Sequence, residues 1–235
     1  MAAHLVLVHG SRLSSTQWAP QLPLLRGRVG VTLVDLPGHG ARADEDFTLE
    51  RCAEVIDETV RAHVAPVLVG HSLGGYAAMA YAAHHPSALV GLVLADCSTS
   101  PTGAGAALYR GVARLTDRIG PARMTRVNDR VLHRLYPPER VDPVIAGGYY
   151  FTPTAAAWGE VMTHCRPSML RELTCPVLLL NGQFDQFRLG TRAFVRAGSD
   201  VRVEVVRRAG HLSNLDQPRA FADAVLRFTD SVERG

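Results

Sequence analysis

Val67-Leu68-Val69-Gly70-His71-Ser72-Leu73-Gly74-Gly75 is the stretch on which the reading of this 235-residue chain turns. Its first three residues are branched and apolar, the signature of a strand, and residues 73–84 that follow have helical spacing. Gly70 and Gly74 flank Ser72 in a G-x-S-x-G pattern, which carries meaning only between a strand and a helix. The small residues permit a sharp turn that projects the Ser72 hydroxyl into a cleft. The helix N-terminus behind it offers backbone N–H groups and the positive end of a dipole to a developing oxyanion.

Outward from that turn, the apolar runs 4–9, 31–34, 90–95, 177–180 and 201–206 repeat the strand signature. Such runs are expected to be buried on both faces. Helical spacing fills 16–25, 48–63, 189–197 and 218–232 between them. Alternation of this kind predicts an α/β fold: a mostly parallel sheet of about six strands with helices on both faces and right-handed crossovers. Sites in such sheets lie beyond the carboxyl ends of the strands. From 98 to 174 no strong strand appears, and Arg, Pro and Gly interrupt short helical patterns at 108–119 and 124–135. We therefore expect a core made of 1–97 and 175–235, with 98–174 inserted after the strand ending near Ala95 as a helical cap.

A serine hydroxyl needs a base to accept its proton and return it to the leaving group. Of ten histidines, His211 in Gly210-His211-Leu212 stands a few residues after the last strand, where a loop can return over the sheet. His63, His84 and His85 fall near helix ends, and His9, His39 and His71 in strand-end loops are expected to organise the cleft. The imidazole needs a carboxylate to fix its tautomer. Asp185, after the strand 177–180, gives the chain order Ser, Asp, His; Asp96, after the strand ending at Ala95, is its rival. In the loop His9-Gly10-Ser11-Arg12, Gly10 permits close backbone approach, and the N–H groups of Ser11 and Leu73 are the expected oxyanion donors.

Composition removes other classes of function. Hydrophobic residues at 47% and charged residues at 20% are those of a globular protein, not a disordered one. A net charge of +3, with no basic run interleaved with aromatics, argues against nucleic acid. No apolar run can cross a membrane and residues 1–10 lack the form of a secretion signal, so a cytoplasmic protein is expected. Cys52, Cys97, Cys165 and Cys175 lie far apart, read as buried free thiols, and offer no metal-ligand spacing. All 25 basic residues are Arg, which excludes Schiff-base and P-loop lysines and hints at a GC-rich bacterial source.

Together, His9-Gly10 with Trp18 downstream, Asp35-Leu36-Pro37-Gly38-His39-Gly40, Gly70-His71-Ser72-Leu73-Gly74-Gly75, Asp185 and Gly210-His211 closely resemble the α/β-hydrolase superfamily across the whole core. The resemblance implies cleavage of carboxylic esters, lactones or thioesters, less often of carbon–carbon bonds, with no cofactor. The start at strand 4–9 also looks like the compact plant methylesterase and hydroxynitrile-lyase branch. That branch's lyases use a cap lysine, and this chain has none. After His211 the family often places a glutamate before a proline; here Asn214-Leu215-Asp216-Gln217-Pro218 stands in its place, and no effect on the chemistry is expected.

Three functions follow: a serine hydrolase for a small acyl substrate; the same triad used for acyl transfer, cyclisation or lyase action; or a ligand receptor that has lost turnover. The insertion is basic, with Arg110, Arg114, Arg118, Arg123, Arg126, Arg130, Arg134 and Arg140 against Asp117, Asp129 and Glu139. It reads as a docking face for an acidic partner such as an acyl carrier protein, as a binder of a substrate carboxylate, or as a solvated face, the commoner use of such runs. Tyr149, Tyr150, Phe151, Trp158, Met162 and Met169 either line an acyl pocket or pack the cap onto the core.

Overall fold

The computed structural model describes residues 2–100 and 120–234. Six strands form one parallel sheet: β1 (His4–Val8), β2 (Gly30–Val34), β3 (Pro66–His71), β4 (Gly91–Ala95), β5 (Val177–Gly182) and β6 (Val201–Val206), in the spatial order β2-β1-β3-β4-β5-β6. The chain leaves β1 for β2 on one side and crosses back to β3 on the other, which makes the β1/β3 junction a topological switch point. Register fixes what meets there. Val8 pairs with Gly70, so the loop after β1 emerges beside Ser72; His71 pairs with Ala95, and Ala95 with Leu180.

Because side chains alternate across a strand, the sheet builds two cores. Val6, Val8, Leu68, Leu92, Leu94 and Leu179 face one way, against α2 (Leu49–Val60) and α3 (Leu73–His84). Leu5, Leu7, Val67, Val69, Val93 and Leu180 face the other, against Trp18, Leu25 of α1 (Leu22–Leu25) and the last long helix, 218–233. Residues 73–82 of α3 are all buried, as a helix wedged between the sheet and neighbouring helices must be. Thr48 caps α2, its Oγ1 accepting from Arg51 N at 3.0 Å.

The expectation that every strand is buried on both faces fails at the edges. β2 and β6 are partly exposed, since each has a neighbour on one side only. The helix expected over 16–25 divides into a 3-10 turn, Ser15–Trp18, and the short α1. Pro20 and Pro23 account for the break, because neither can donate to a continuous helical ladder.

Between β4 and β5 the described residues form α4 (Pro121–Leu135), α5 (Pro138–Ile145) and α6 (Thr154–His164). The helical pattern at 108–119 lies outside the described residues. Ala157, Trp158 and Val161 of α6 are buried in the same core as α3, whereas α4 has no fully buried residue. α7 (Thr191–Ala197), α8 (Ser213–Asp216) and α9 (Pro218–Glu233) complete the chain. The four cysteines are free and buried. Among the described residues no helix is long and apolar enough to cross a membrane, and no group of three or more potential ligands could hold a metal ion.

The elbow depends on missing side chains. A Cβ on Gly74 would stand 2.3 Å from the His9 carbonyl oxygen and 2.7 Å from that of Val8. Both are backbone atoms that cannot step aside alone. Gly74→Ala is expected to lower stability by about 1–3 kcal/mol, read as a lower urea midpoint; an unchanged midpoint would mean that β1 and α3 separate more easily than this contact implies.

Candidate active site

Ser72 sits between β3 and α3 with φ 50° and ψ −115°, a left-handed conformation that is strained for a residue with a side chain. The strand and the buried helix on either side hold it there. Its N–H donates to Ala95 O at 2.8 Å, and the residue is 4% exposed.

The Ser72 Oγ and the His211 Nε2 are 3.0 Å apart, and the His211 Nδ1 is 2.9 Å from Asp185 Oδ1. The three residues expected from sequence therefore meet in one hydrogen-bonded line. Asp185 follows β5, its side chain fully buried, and the same Oδ1 accepts from Phe187 N at 3.1 Å. A buried carboxylate oxygen bonded to Nδ1 favours the tautomer with the proton there, leaving Nε2 free to accept from the serine. Phe187 packs on the imidazole at 4.7 Å between centroids, and Trp158 packs on Phe187 in turn.

The rival carboxylate has other partners. Asp96, fully buried, accepts from Gly182 N at 2.7 Å through Oδ1, and from Ser213 N and Oγ through Oδ2. It thus ties the end of β4 to the end of β5 and to the loop after His211. His71 joins the same hub, its Nε2 donating to the His211 carbonyl oxygen at 2.8 Å and lying 3.4 Å from Asp96 Oδ2.

The loop after β1 is fixed from below. Gly10 N donates to Gln17 Oε1 at 2.8 Å, and a Cβ on Gly10 would stand 2.6 Å from His71 Nδ1, so this loop lies directly on the elbow. The N–H groups of Ser11 and Leu73 have no acceptor among the described residues. Sequence reasoning overlooked Gln17 and Phe187. Gln17 carried a usable signal, an amide beside Trp18 in the apolar-spaced stretch just behind the Gly10 loop.

Within the insertion, Arg110, Arg114 and Arg118 lie outside the described residues, whereas Arg123, Arg126, Arg130 and Arg134 are exposed along one side of α4. Beside them run Val127 and Val131, 42% and 49% exposed. The aromatic residues of the insertion mostly pack. Tyr149 stacks on Phe151 and donates to Asp129, Tyr150 donates to Gly147 O, and Trp158 meets Tyr76 edge-on. A cavity of about 750 Å³ lined by Glu54, His84, Glu160 and Met169 contains none of the residues around Ser72.

The model of the alpha/beta hydrolase family matches residues 5–224. The chain belongs to the alpha/beta hydrolase family. Over 90 residues this hydrolase is 40% identical to the pimeloyl-[acyl-carrier protein] methyl ester esterase of Sodalis glossinidius, a match covering 38% of this chain and 34% of that protein. The match thus spans about a third of that relative's length. It is 26% identical to an uncharacterised carboxylesterase of Bacillus subtilis over 247 residues, covering 97% and 79% of the two chains. Among solved structures, a thermophilic esterase from Thermogutta terrifontis, malate bound, aligns with TM-score 0.80 and 27% identity over 99% of this chain and 90% of that one.

Two histidines at the cleft make the fold sensitive to acid. Burial above all, with the nearby His39, pushes His9 down to about 3, and burial also lowers His39. The unfolded chain takes up these protons below about 6.5, whereas the folded protein resists doing so. The stability they contribute is complete above about pH 6.5 and is lost as pH falls from there, for His9 down to about 3 at no more than about 1.4 kcal/mol per pH unit. Melting temperature should fall between pH 6.5 and 5 in the wild type and fall less steeply in His9→Gln; parallel curves would remove His9 from this account.

Proposed function

We propose that this alpha/beta hydrolase cleaves a carboxylic ester, thioester or lactone through an acyl-enzyme on Ser72. The observation that carries the reading is the line from Ser72 Oγ through His211 to Asp185, with bonds of 3.0 and 2.9 Å. His211 takes the hydroxyl proton as Ser72 attacks the acyl carbon, and Asp185 stabilises the imidazolium that forms. The N–H groups of Ser11 and Leu73 receive the oxyanion, and the proton then passes from His211 to the leaving alcohol or thiol. Water, activated by the same histidine, releases the acid.

Residues 98–174 serve in this reading as the cap. Support comes from contacts with the loop after β1: Thr16 Oγ1 donates to Val144 O at 2.7 Å, and Tyr150 N donates to Arg12 O at 2.9 Å. The bacterial relatives, the absence of lysine and the free cysteines favour a bacterial cytoplasmic enzyme. The arginines along α4 favour docking of an acidic acyl carrier protein, the kind of substrate named in the Sodalis relative.

A fluorophosphonate probe should label the wild type and not Ser72→Ala, and p-nitrophenyl esters of graded length should be hydrolysed. Asp185→Asn should lower kcat by about 10²–10⁴-fold with little change in KM. A folded wild type that neither labels nor hydrolyses any ester would overturn the serine-hydrolase reading.

For carrier docking, Arg126→Glu with Arg130→Glu should raise KM for a carrier-borne ester and flatten its salt dependence, with turnover of p-nitrophenyl acetate unchanged. Equal effects on both substrates would exclude docking on α4.

A further inference from the structure

The His211 turn is held from two sides by two different carboxylates. On the core side, Asp96 holds Ser213, and His71 holds the His211 carbonyl. On the cap side stands Asp216, the residue set before Gln217-Pro218. Its Oδ2 accepts from Gly210 N at 2.6 Å, one residue before the histidine, and its Oδ1 accepts from the Tyr136 hydroxyl at 2.7 Å. Tyr136 belongs to the insertion, where it follows α4 and precedes α5. A hydrogen-bonded chain therefore runs from the cap to the backbone one residue before the proposed general base.

Packing runs parallel to that chain. Tyr136, Val141 and Val144 of the insertion are buried against Leu13 of the loop after β1 and Leu215 of α8, with Leu212 of the loop after β6 beside them. Arg140 Nη1 donates to Leu215 O at 3.3 Å. The segment 136–145 thus touches both loops that flank Ser72, in one apolar cluster separate from the two cores of the sheet.

We propose that Tyr136 is a positioning residue carried by the cap: through Asp216 it holds the 210–211 turn, and so couples the seating of segment 136–145 to the aim of His211 at Ser72. Asp96 supplies a fixed anchor within the core, and Asp216 supplies one that depends on where the cap sits. The proposal rests on His211 being the base. Burial and the bond to Asp216 both raise the Tyr136 pKa, so the phenol remains a donor throughout the working range of such an enzyme.

Tyr136→Phe removes the hydroxyl and keeps the ring in its cluster, and Asp216→Asn weakens the acceptor. With p-nitrophenyl acetate, each should lower kcat and the fluorophosphonate labelling rate by about 10-fold to 10²-fold, the scale of a misaligned catalytic group. KM should stay unchanged, and the low-field proton resonance of the His211–Asp185 hydrogen bond should broaden or shift. The double variant should be no worse than Asp216→Asn alone, because both changes break one chain. Tyr81→Phe, which removes a tyrosine–aspartate bond to Asp57 on the far side of α3, is the control and should leave kcat unchanged. Wild-type kcat and an unshifted resonance in Tyr136→Phe would overturn the coupling, as would a loss explained wholly by a smaller folded fraction. Failure of the wild type to label would instead strike the underlying reading.

Discussion

At Ser72 the backbone must turn from a buried strand into a buried helix within one residue, at a φ of 50°. That turn closes only where three side chains are missing. A Cβ on Gly70 would stand 2.3 Å from Gly74 O, one on Gly74 2.3 Å from His9 O, and one on Gly75 2.3 Å from Cys97 Sγ. Each contact lies between different elements, so the glycines pull β3, α3, β1 and the residue after Asp96 onto a single point. The strain at Ser72 is sustained because β3 and residues 73–82 of α3 on either side are buried.

The rest of the site is held by groups that do no chemistry themselves. Gln17 supports the loop after β1, Asp96 joins the ends of β4 and β5 to the residues after His211, and Asp216 steadies the residue before His211. Each satisfies backbone N–H groups at or just beyond the carboxyl edge of the sheet, where the strand ladder ends. An unpaired N–H there would cost about 1–3 kcal/mol and leave the loop free to move. Positioning His211 to a few tenths of an ångström is therefore a matter of backbone hydrogen bonding in the surrounding shell.

Parts of the insertion differ in their attachment. α6 is embedded in the core through Trp158 and Val161, segment 136–145 rests on the two loops beside Ser72, and α4 presents its arginines and valines to solvent. A segment bound to the site at one point and open at another is suited to carry the state of an outer surface inward.

Much of this was written in one dimension. Unbroken apolar runs are long enough only for buried parallel strands, helical spacing between them requires crossovers, and glycines on both sides of Ser72 permit one kind of turn. The order Ser72, Asp185, His211 follows from that topology, since each stands just past a strand end. Sequence favoured Asp185 over Asp96 on chain order and not on geometry, because both follow strands and only the path of the loops decides which carboxylate reaches Nδ1. It could not separate α1 from its 3-10 turn without weighing Pro20 and Pro23, or show which strands would be edges. Nor could it assign Asp216 a task, because its two partners lie 6 and 80 residues away along the chain. Local sequence thus determined the elements and the turn that carries Ser72, through periodicity and steric permission. Tertiary structure alone decided which polar groups meet, because hydrogen bonds between loops depend on distances that the linear order does not contain.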